Sequence, residues 1–324
     1  MILELKQPPV VAPGVYALPV EVYDADPCPD PSLTQSICKY LLGASPRHAW
    51  WNHVRLNPAR VEKDARRFEL GTVAHTLLVG QGRKVEIIEA NDYRTKIAQA
   101  LRDEAFAAGR MPIVRPDYDA AVGMVVAARA QLANIPGAGQ WFVDGAGLGE
   151  VTLAWRDLSC GVWCRSRVDW IPGDSGARVI DYKTTARAAK PEGLGRLVVD
   201  MGYDVQAAFI ERGLETLDPD LGGRTEAIFV FQEVDPPYML SAVSLDAEAL
   251  DVGRRKAAAA IELWARCVNE NTWPGYEARV TSITYPSWAL AQWMDREARD
   301  HFAKQDGDPF ALLNPLAPGG AQLE

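Results

Sequence analysis

Four residues suited to metal or phosphate chemistry fall near the ends of three consecutive apolar runs. Glu150 opens the run 150–155 (Glu-Val-Thr-Leu-Ala-Trp). Asp169 lies late in the run 161–171, within Arg165-Ser166-Arg167-Val168-Asp169. Asp181 and Lys183 close the run 177–183 as Asp-Tyr-Lys. Strands alternate faces, so Asp181 and Lys183 project to one side and Tyr182 to the other. Two carboxylates on adjacent strands, with a third nearby, make a hard oxygen-ligand site suited to Mg2+ or Mn2+. A lysine beside such a metal can orient a water and stabilise charge developing on a phosphate. Asp-x-Lys alone is common and usually marks an exposed turn or a surface ion pair. Here it follows the apolar pair Val179-Ile180 and an Arg-x-Asp on the preceding strand, and that context favours a metal site.

His75 is a further candidate. Gly71 stands one helical turn before it on the same face, where it would admit a neighbouring backbone or a phosphate. His48, His53 and His301 lack such a context and read as structural. Gln206 lies in a helix after the third strand. It is either a helix surface position or faces the site and holds substrate or the lysine.

The elements that must position these residues follow from proline content and periodicity. Residues 1–31 hold seven of the 22 prolines, a density that blocks regular helix and central strand. They read as an extended arm laid over the surface, or as partly disordered. Ser32 and Gln35 fit a capping box opening a helix with Leu33, Ile37, Tyr40 and Leu41 on its buried stripe. That helix ends before Ser45-Pro46. A second helix over 61–80 carries Gly71 and His75, and alanine-rich helices follow at 95–108 and 117–133. Strands at 150–155, 161–171 and 177–183 come next, the last two joined by turn chemistry at 172–176. The pattern continues with a helix at 197–217, strands at 227–233 and 238–245, a long helix at 246–269 and a shorter one at 288–302. This order predicts an α/β core with a helical front end.

The 324 residues are 48% hydrophobic and 24% charged, which excludes wholesale disorder. A net charge of −9 excludes a broadly basic protein that coats nucleic acid. Charge is nonetheless uneven. The segment 160–196 carries seven basic and four acidic residues, among them the proposed metal ligands. Arg165, Arg167, Arg187 and Lys190 are its candidates for phosphate contacts, the last two because they follow Thr184-Thr185. Arg94, Lys96, Arg102, Arg110 and Arg115 form either an upstream basic track or a solvated face. The five cysteines are odd in number and scattered. No second pair accompanies Cys160 and Cys164 to make a zinc site, so free thiols in a reducing cytoplasm are expected. Neither a secretory signal nor an apolar run of about 18 residues is present, so no membrane association is expected.

Taken in order, Gly-x-x-x-His (71–75), Glu150, Arg-x-Asp (167–169), Asp-x-Lys-Thr-Thr (181–185) and Gly-Tyr-x-x-Gln (202–206) resemble the PD-(D/E)XK nuclease superfamily. Within it the chain is most similar to the RecE-like, exonuclease VIII branch of phages and prophages. Residues 36–50, 229–238 and the Trp-Pro-Gly-Tyr at 273–276 add to that likeness, which covers about 32–290. The resemblance implies a restriction-endonuclease-like α/β core, a mixed central sheet flanked by helices. It divides the chain into an arm at 1–31, a nuclease domain at 32–290 and a helical tail at 291–324. It implies Mg2+-dependent (or Mn2+-dependent) degradation of linear duplex DNA from its ends, 5′ to 3′, for recombination by single-strand annealing. Asp169 and Asp181 would be metal ligands, with His75, Glu150 and the Tyr182 backbone carbonyl completing the set. Lys183 would position water, and Gln206 matches a helix glutamine of the family. A RecT-like single-strand annealing partner and a homo-oligomer are implied as well. Two departures stand out. Ile210 occupies the place of a family tyrosine, whose hydroxyl is either absent here or supplied elsewhere, Tyr203 being a candidate. One late cysteine, Cys267, replaces the late cluster of iron–sulfur members, so no iron–sulfur cluster is expected. The competing readings are a RecB-like or structure-selective endonuclease and an inactive DNA-binding homologue, the latter at odds with an intact Asp, Asp and Lys.

Overall fold

Strand-forming residues between 147 and 185 build the middle of a seven-stranded sheet, seen in a computed structural model that describes residues 5–60, 70–80, 82–173 and 177–305. The chain runs β1 (Leu5–Lys6), β2 (Gly14–Tyr16), α1 (Val20–Asp24), α2 (Gln35–Gly43), α3 (Pro46–Asn52), α4 (Leu70–Val79), β3 (Val85–Ile88), α5 (Lys96–Ala107), β4 (Met111–Val114) and α6 (Arg115–Leu132). It continues through β5 (Gly147–Arg156), β6 (Trp163–Pro172), β7 (Arg178–Thr185), α7 (Pro191–Met201), α8 (Tyr203–Leu217), β8 (Glu226–Glu233), β9 (Leu240–Ser244), α9 (Ala247–Glu270) and α10 (Ser287–Gln305). Strand order in the large sheet is β1-β2-β5-β6-β7-β8-β9. The β5–β6–β7 meander is antiparallel, whereas β8 returns parallel to β7 through the α7–α8 crossover. This is the mixed sheet flanked by helices that the sequence predicts.

The two faces of the sheet bury separate clusters. On one, Val151, Leu153, Trp155 and Val179 pack against α2, α8 and α9 through Ile37, Phe209, Ile261 and Trp264. On the other, Trp170, Ile180, Tyr182 and Val230 pack against α4 and α6 through Leu78, Ala128 and Leu132. Alternation along β7 assigns Val179 and Ile180 to opposite faces, as a central strand requires. The chain divides into two compact units, Met1–Gly275 and Tyr276–Glu324; α10 belongs to the second. No helix among the described residues is long and apolar enough to cross a membrane.

Several boundaries differ from expectation for identifiable reasons. The proline-rich start supplies two strands: Gly14–Tyr16 pairs antiparallel with residues 152–154 of β5, burying Val15 and Tyr16. Pro13 and Pro19 flank that short strand instead of interrupting it. The cap of α2 is Thr34, whose Oγ1 accepts from the Ile37 amide, not Ser32. Leu33 bridges to Cys164 of β6 and keeps this stretch extended, and the Ser32 hydroxyl donates instead to Asp26. The helix expected at 197–217 is two helices, broken at Gly202 with φ +63°. The parallel pair β3–β4 carries Glu86 and Pro112, which disguise its pattern. Residues 61–69 of the helix expected over 61–80, 174–176 of the expected turn and 306–324 of the tail lie outside the described residues.

Candidate active site

The site forms where the β6–β7 ladder opens. These antiparallel strands are in register at Trp170 and Ile180, which makes Asp169 and Asp181 the next opposed residues. The Tyr182 amide donates to Asp169 Oδ2 at 2.8 Å, so the backbone contact seen here is the N–H of Tyr182. Its ring lies on the opposite face, where its hydroxyl meets Gln232 Oε1 at 2.5 Å.

Glu150 reaches the same point through an unusual backbone. The β5–β6 register pairs Gly149 with Trp170 and Val151 with Val168, passing over Glu150, whose φ is +53°. A side-chain-bearing residue held in that region costs about 1–3 kcal/mol and persists where the surroundings enforce it. The Glu150 carboxylate pairs with Arg167 on one oxygen and lies 3.6 Å from His75 Nδ1 on the other.

His75 arrives from α4. A Cβ on Gly71 would lie 2.1 Å from Thr184 Oγ1, so the absence of a side chain at 71 lets α4 close on β7. One turn later His75 Nε2 stands 3.1 Å from Asp169 Oδ2. Donor atoms of His75, Glu150 and Asp169 all fall within 4.8 Å of one another. Asp181 lies outside that trio. Buried to 3% exposure, it holds Lys183 Nζ at 2.5 Å and accepts from Gln206 Nε2 at 2.8 Å. Gln206 therefore faces the site instead of forming a helix surface. Tyr203, the first residue of α8, brings its ring to 5.3 Å from Lys183 Nζ, while Ile210 is buried in the core.

The electrostatics follow from this crowding. Burial pulls the His75 imidazole toward neutrality, but Asp169, Glu150 and Asp181 outweigh it and raise its pKa to about 9. Burial would raise Asp169, yet His75, Lys183 and the Tyr182 amide hold it below the usual carboxylate range. Asp181 moves the other way: burial, with Asp169 beside it, lifts it to about 6 against the pull of Lys183. Lys183 is desolvated too, but Asp181 and Asp169 keep it firmly protonated. Three carboxyl groups thus face three cationic side chains, His75, Arg167 and Lys183. The His75–Glu150–Asp169 trio fits a hard divalent cation: two carboxylates and one imidazole, drawn from three different elements onto one point.

The predicted DNA contacts divide. Arg165, expected among them, is 5% exposed and spent on Asp26 at 2.9 Å and the Ser32 hydroxyl at 2.5 Å. Its Nη1, committed to Asp26 and Ser32 in the interior, ties the N-terminal segment to β6. Arg167 lies at the site, bonded to Glu150 and to the Leu18 carbonyl. Arg187 and Lys190 are exposed beyond the end of β7. Upstream, Arg94, Arg102, Arg110 and Arg115 pair with Asp92, Asp103, Glu86 and Glu89, as a solvated face does.

A sequence model of the PD-(D/E)XK nuclease superfamily matches residues 32–209, more than half of the chain. No curated protein matches it. Among solved structures, a "Putative exonuclease" from Eubacterium rectale superposes with a TM-score of 0.49 and 12% identity, covering 80% of this chain and 92% of its own. A protein designated SSO0001 gives a TM-score of 0.24 and 15% identity, covering 60% of this chain and 84% of its own.

Proposed function

Since the chain belongs to the PD-(D/E)XK nuclease superfamily, we propose that it is a Mg2+-dependent (or Mn2+-dependent) exodeoxyribonuclease that degrades linear duplex DNA 5′ to 3′, in the manner of RecE-like enzymes. The observation that carries this reading is the convergence of His75, Glu150 and Asp169 beside the Asp181–Lys183–Gln206 group. His75, Glu150 and Asp169 would hold the cation, with Asp181 alongside. A divalent ion there supplies Lewis-acid stabilisation of charge on a phosphoryl oxygen and acidifies water.

The protein's own groups do the rest. Lys183, pinned by Asp181, presents a fixed positive charge to the attacking water and to the phosphate. Gln206 holds the Asp181 carboxylate from the far side. Arg167 fixes Glu150, and Arg187 and Lys190 meet flanking phosphates. Water adds to phosphorus, the bond to the 3′ oxygen breaks, and that oxygen takes a proton from solvent, leaving a 5′-phosphate. Supply of single strands to a RecT-like annealing partner, and assembly of several copies around the duplex, complete the proposal.

The test uses purified protein, Mg2+ and duplexes labelled at the 5′ or the 3′ end or closed into a circle. Linear substrate should be consumed from 5′ ends and circles should survive. Cleaved circles would point to an endonuclease. Asp181→Ala and Lys183→Ala proteins should fold and lose cleavage, and Mg2+-dependent digestion by either would overturn the site assignment.

A further inference from the structure

We propose that Lys39 binds the phosphate adjacent to the one being cut, and so sets the path of the cleaved strand across the sheet. The proposal rests on the nuclease reading above and adds a substrate contact that the sequence motifs do not contain.

Lys39 lies on α2, half-buried, with its stem across Gly202: a Cβ there would sit 3.1 Å from Lys39 Cε. Its ammonium approaches the Tyr203 ring at 5.5 Å from the centroid, and Lys183 approaches the same ring at 5.3 Å. Two cations therefore share one aromatic ring beside the site. Their circumstances differ. His75, Arg167 and Lys183 each have a carboxylate partner, and the nearby Lys256 holds Asp204 at 2.6 Å. Among the described residues, no carboxylate lies within ion-pair distance of Lys39. A half-buried ammonium next to a like charge is unfavourable without a counter-ion. Burial and Lys183 weaken its hold on a proton, and the more distant charges of Asp181 and Asp204 offset this only in part. The group that relieves this arrangement is an anion, and the anion a nuclease brings to Lys183 is a strand of phosphates.

Sheet order gives the direction. Of the trio, Glu150 lies on β5 and Asp169 on β6, His75 reaches them from α4, and Asp181 and Lys183 follow on β7. Tyr203 packs on Phe229 and Phe231 of β8, beyond β7, at 5.3 and 5.7 Å between ring centroids. A strand with its scissile phosphate at Lys183 thus carries a neighbouring phosphate onto Lys39.

The experiment measures Mg2+-dependent cleavage of a linear duplex by wild type, Lys39→Met and Lys39→Arg proteins at several salt concentrations. The expected result is a KM about tenfold higher for Lys39→Met, with kcat within about threefold. The slope of log(kcat/KM) against log[salt] should fall by about 0.7–0.9, the contribution of one phosphate contact. Lys39→Arg should restore both. In parallel, wild type is given a duplex with a neutral methylphosphonate beside the scissile phosphate, which tests the contact without any mutation. It should raise KM for wild type and leave Lys39→Met unchanged. Unaltered KM and salt slope in Lys39→Met, or a methylphosphonate penalty of equal size in both proteins, overturns the proposal while leaving the nuclease reading intact. A wild-type protein that cuts no DNA overturns both.

Discussion

Gly71 and Thr184 meet with no room for a side chain on the helix, and that contact aims His75. Gly71→Ala forces α4 and β7 apart. We expect a loss of about 1–3 kcal/mol, typical of overpacking, and at least about a tenfold drop in cleavage as His75 leaves Asp169. Thr184→Gly opens the missing space. The Gly71→Ala/Thr184→Gly pair should therefore cost less than the two single changes summed, in stability and in rate, as a double-mutant cycle measures directly. Simple additivity would mean that the contact does not govern the helix.

The His75–Asp169 pair makes stability depend on pH. The folded-state pKa of His75 is raised from 6.5 to about 9, so its contribution is fully present below 6.5 and is lost as pH rises through 9. The shift corresponds to about 3 kcal/mol. Urea unfolding in the presence of chelator should show wild type exceeding His75→Gln by about that amount near pH 6, and by little above pH 9.5. A pH-independent gap refutes the pairing. Because a metal needs the neutral imidazole, binding of Mn2+ at pH 7.5 should release about one proton. Titration calorimetry in buffers of different ionisation enthalpy reads that number.

Gln206 stabilises the charged form of Asp181, whose pKa is already lifted to about 6. Gln206→Leu leaves a buried carboxylate oxygen unmet, at a cost of about 1–3 kcal/mol. It should also move the acid limb of the pH–rate profile upward, because removing a donor to a carboxylate raises its pKa. An unmoved limb would show that Gln206 acts elsewhere.

Arg165 and the Arg187/Lys190 pair should separate cleanly. Arg165→Met removes one partner of the buried Asp26, which keeps Ser32, His53 and Arg55, and should cost about 1–3 kcal/mol, with KM for DNA unchanged in protein that remains folded. Arg187→Ala and Lys190→Ala should leave the melting temperature within about 1 °C and flatten the salt dependence of KM. A reversed pattern would return Arg165 to the DNA.

The candidate site is legible wherever strand alternation and position in the chain are enough. Asp169, Asp181 and Lys183 fall together because a strand's period of two and an antiparallel turn leave little choice. His75 was readable through Gly71, a glycine whose use is close approach. What sequence hides is conformation and partnership. Nothing in the letters around Glu150 announces a positive φ, and Arg165 looks as free as Arg167 until Asp26 and Ser32 fold over it. Lys39 passes for an ordinary helix-surface lysine because the ring it leans on lies 164 residues away. The early strand is hidden because prolines stand on both sides of it and only two of its three residues, Val15 and Tyr16, favour a strand.

That early strand has a further consequence. The family match begins at residue 32, yet β5 takes its outer neighbour from residues 14–16. A chain begun at residue 32 would retain His75, Glu150 and Asp169 and expose a naked selvedge along 152–154. Unpaired strand edges recruit other chains, so such a fragment would fail first by clumping, and its silence in an assay would say nothing about its chemistry.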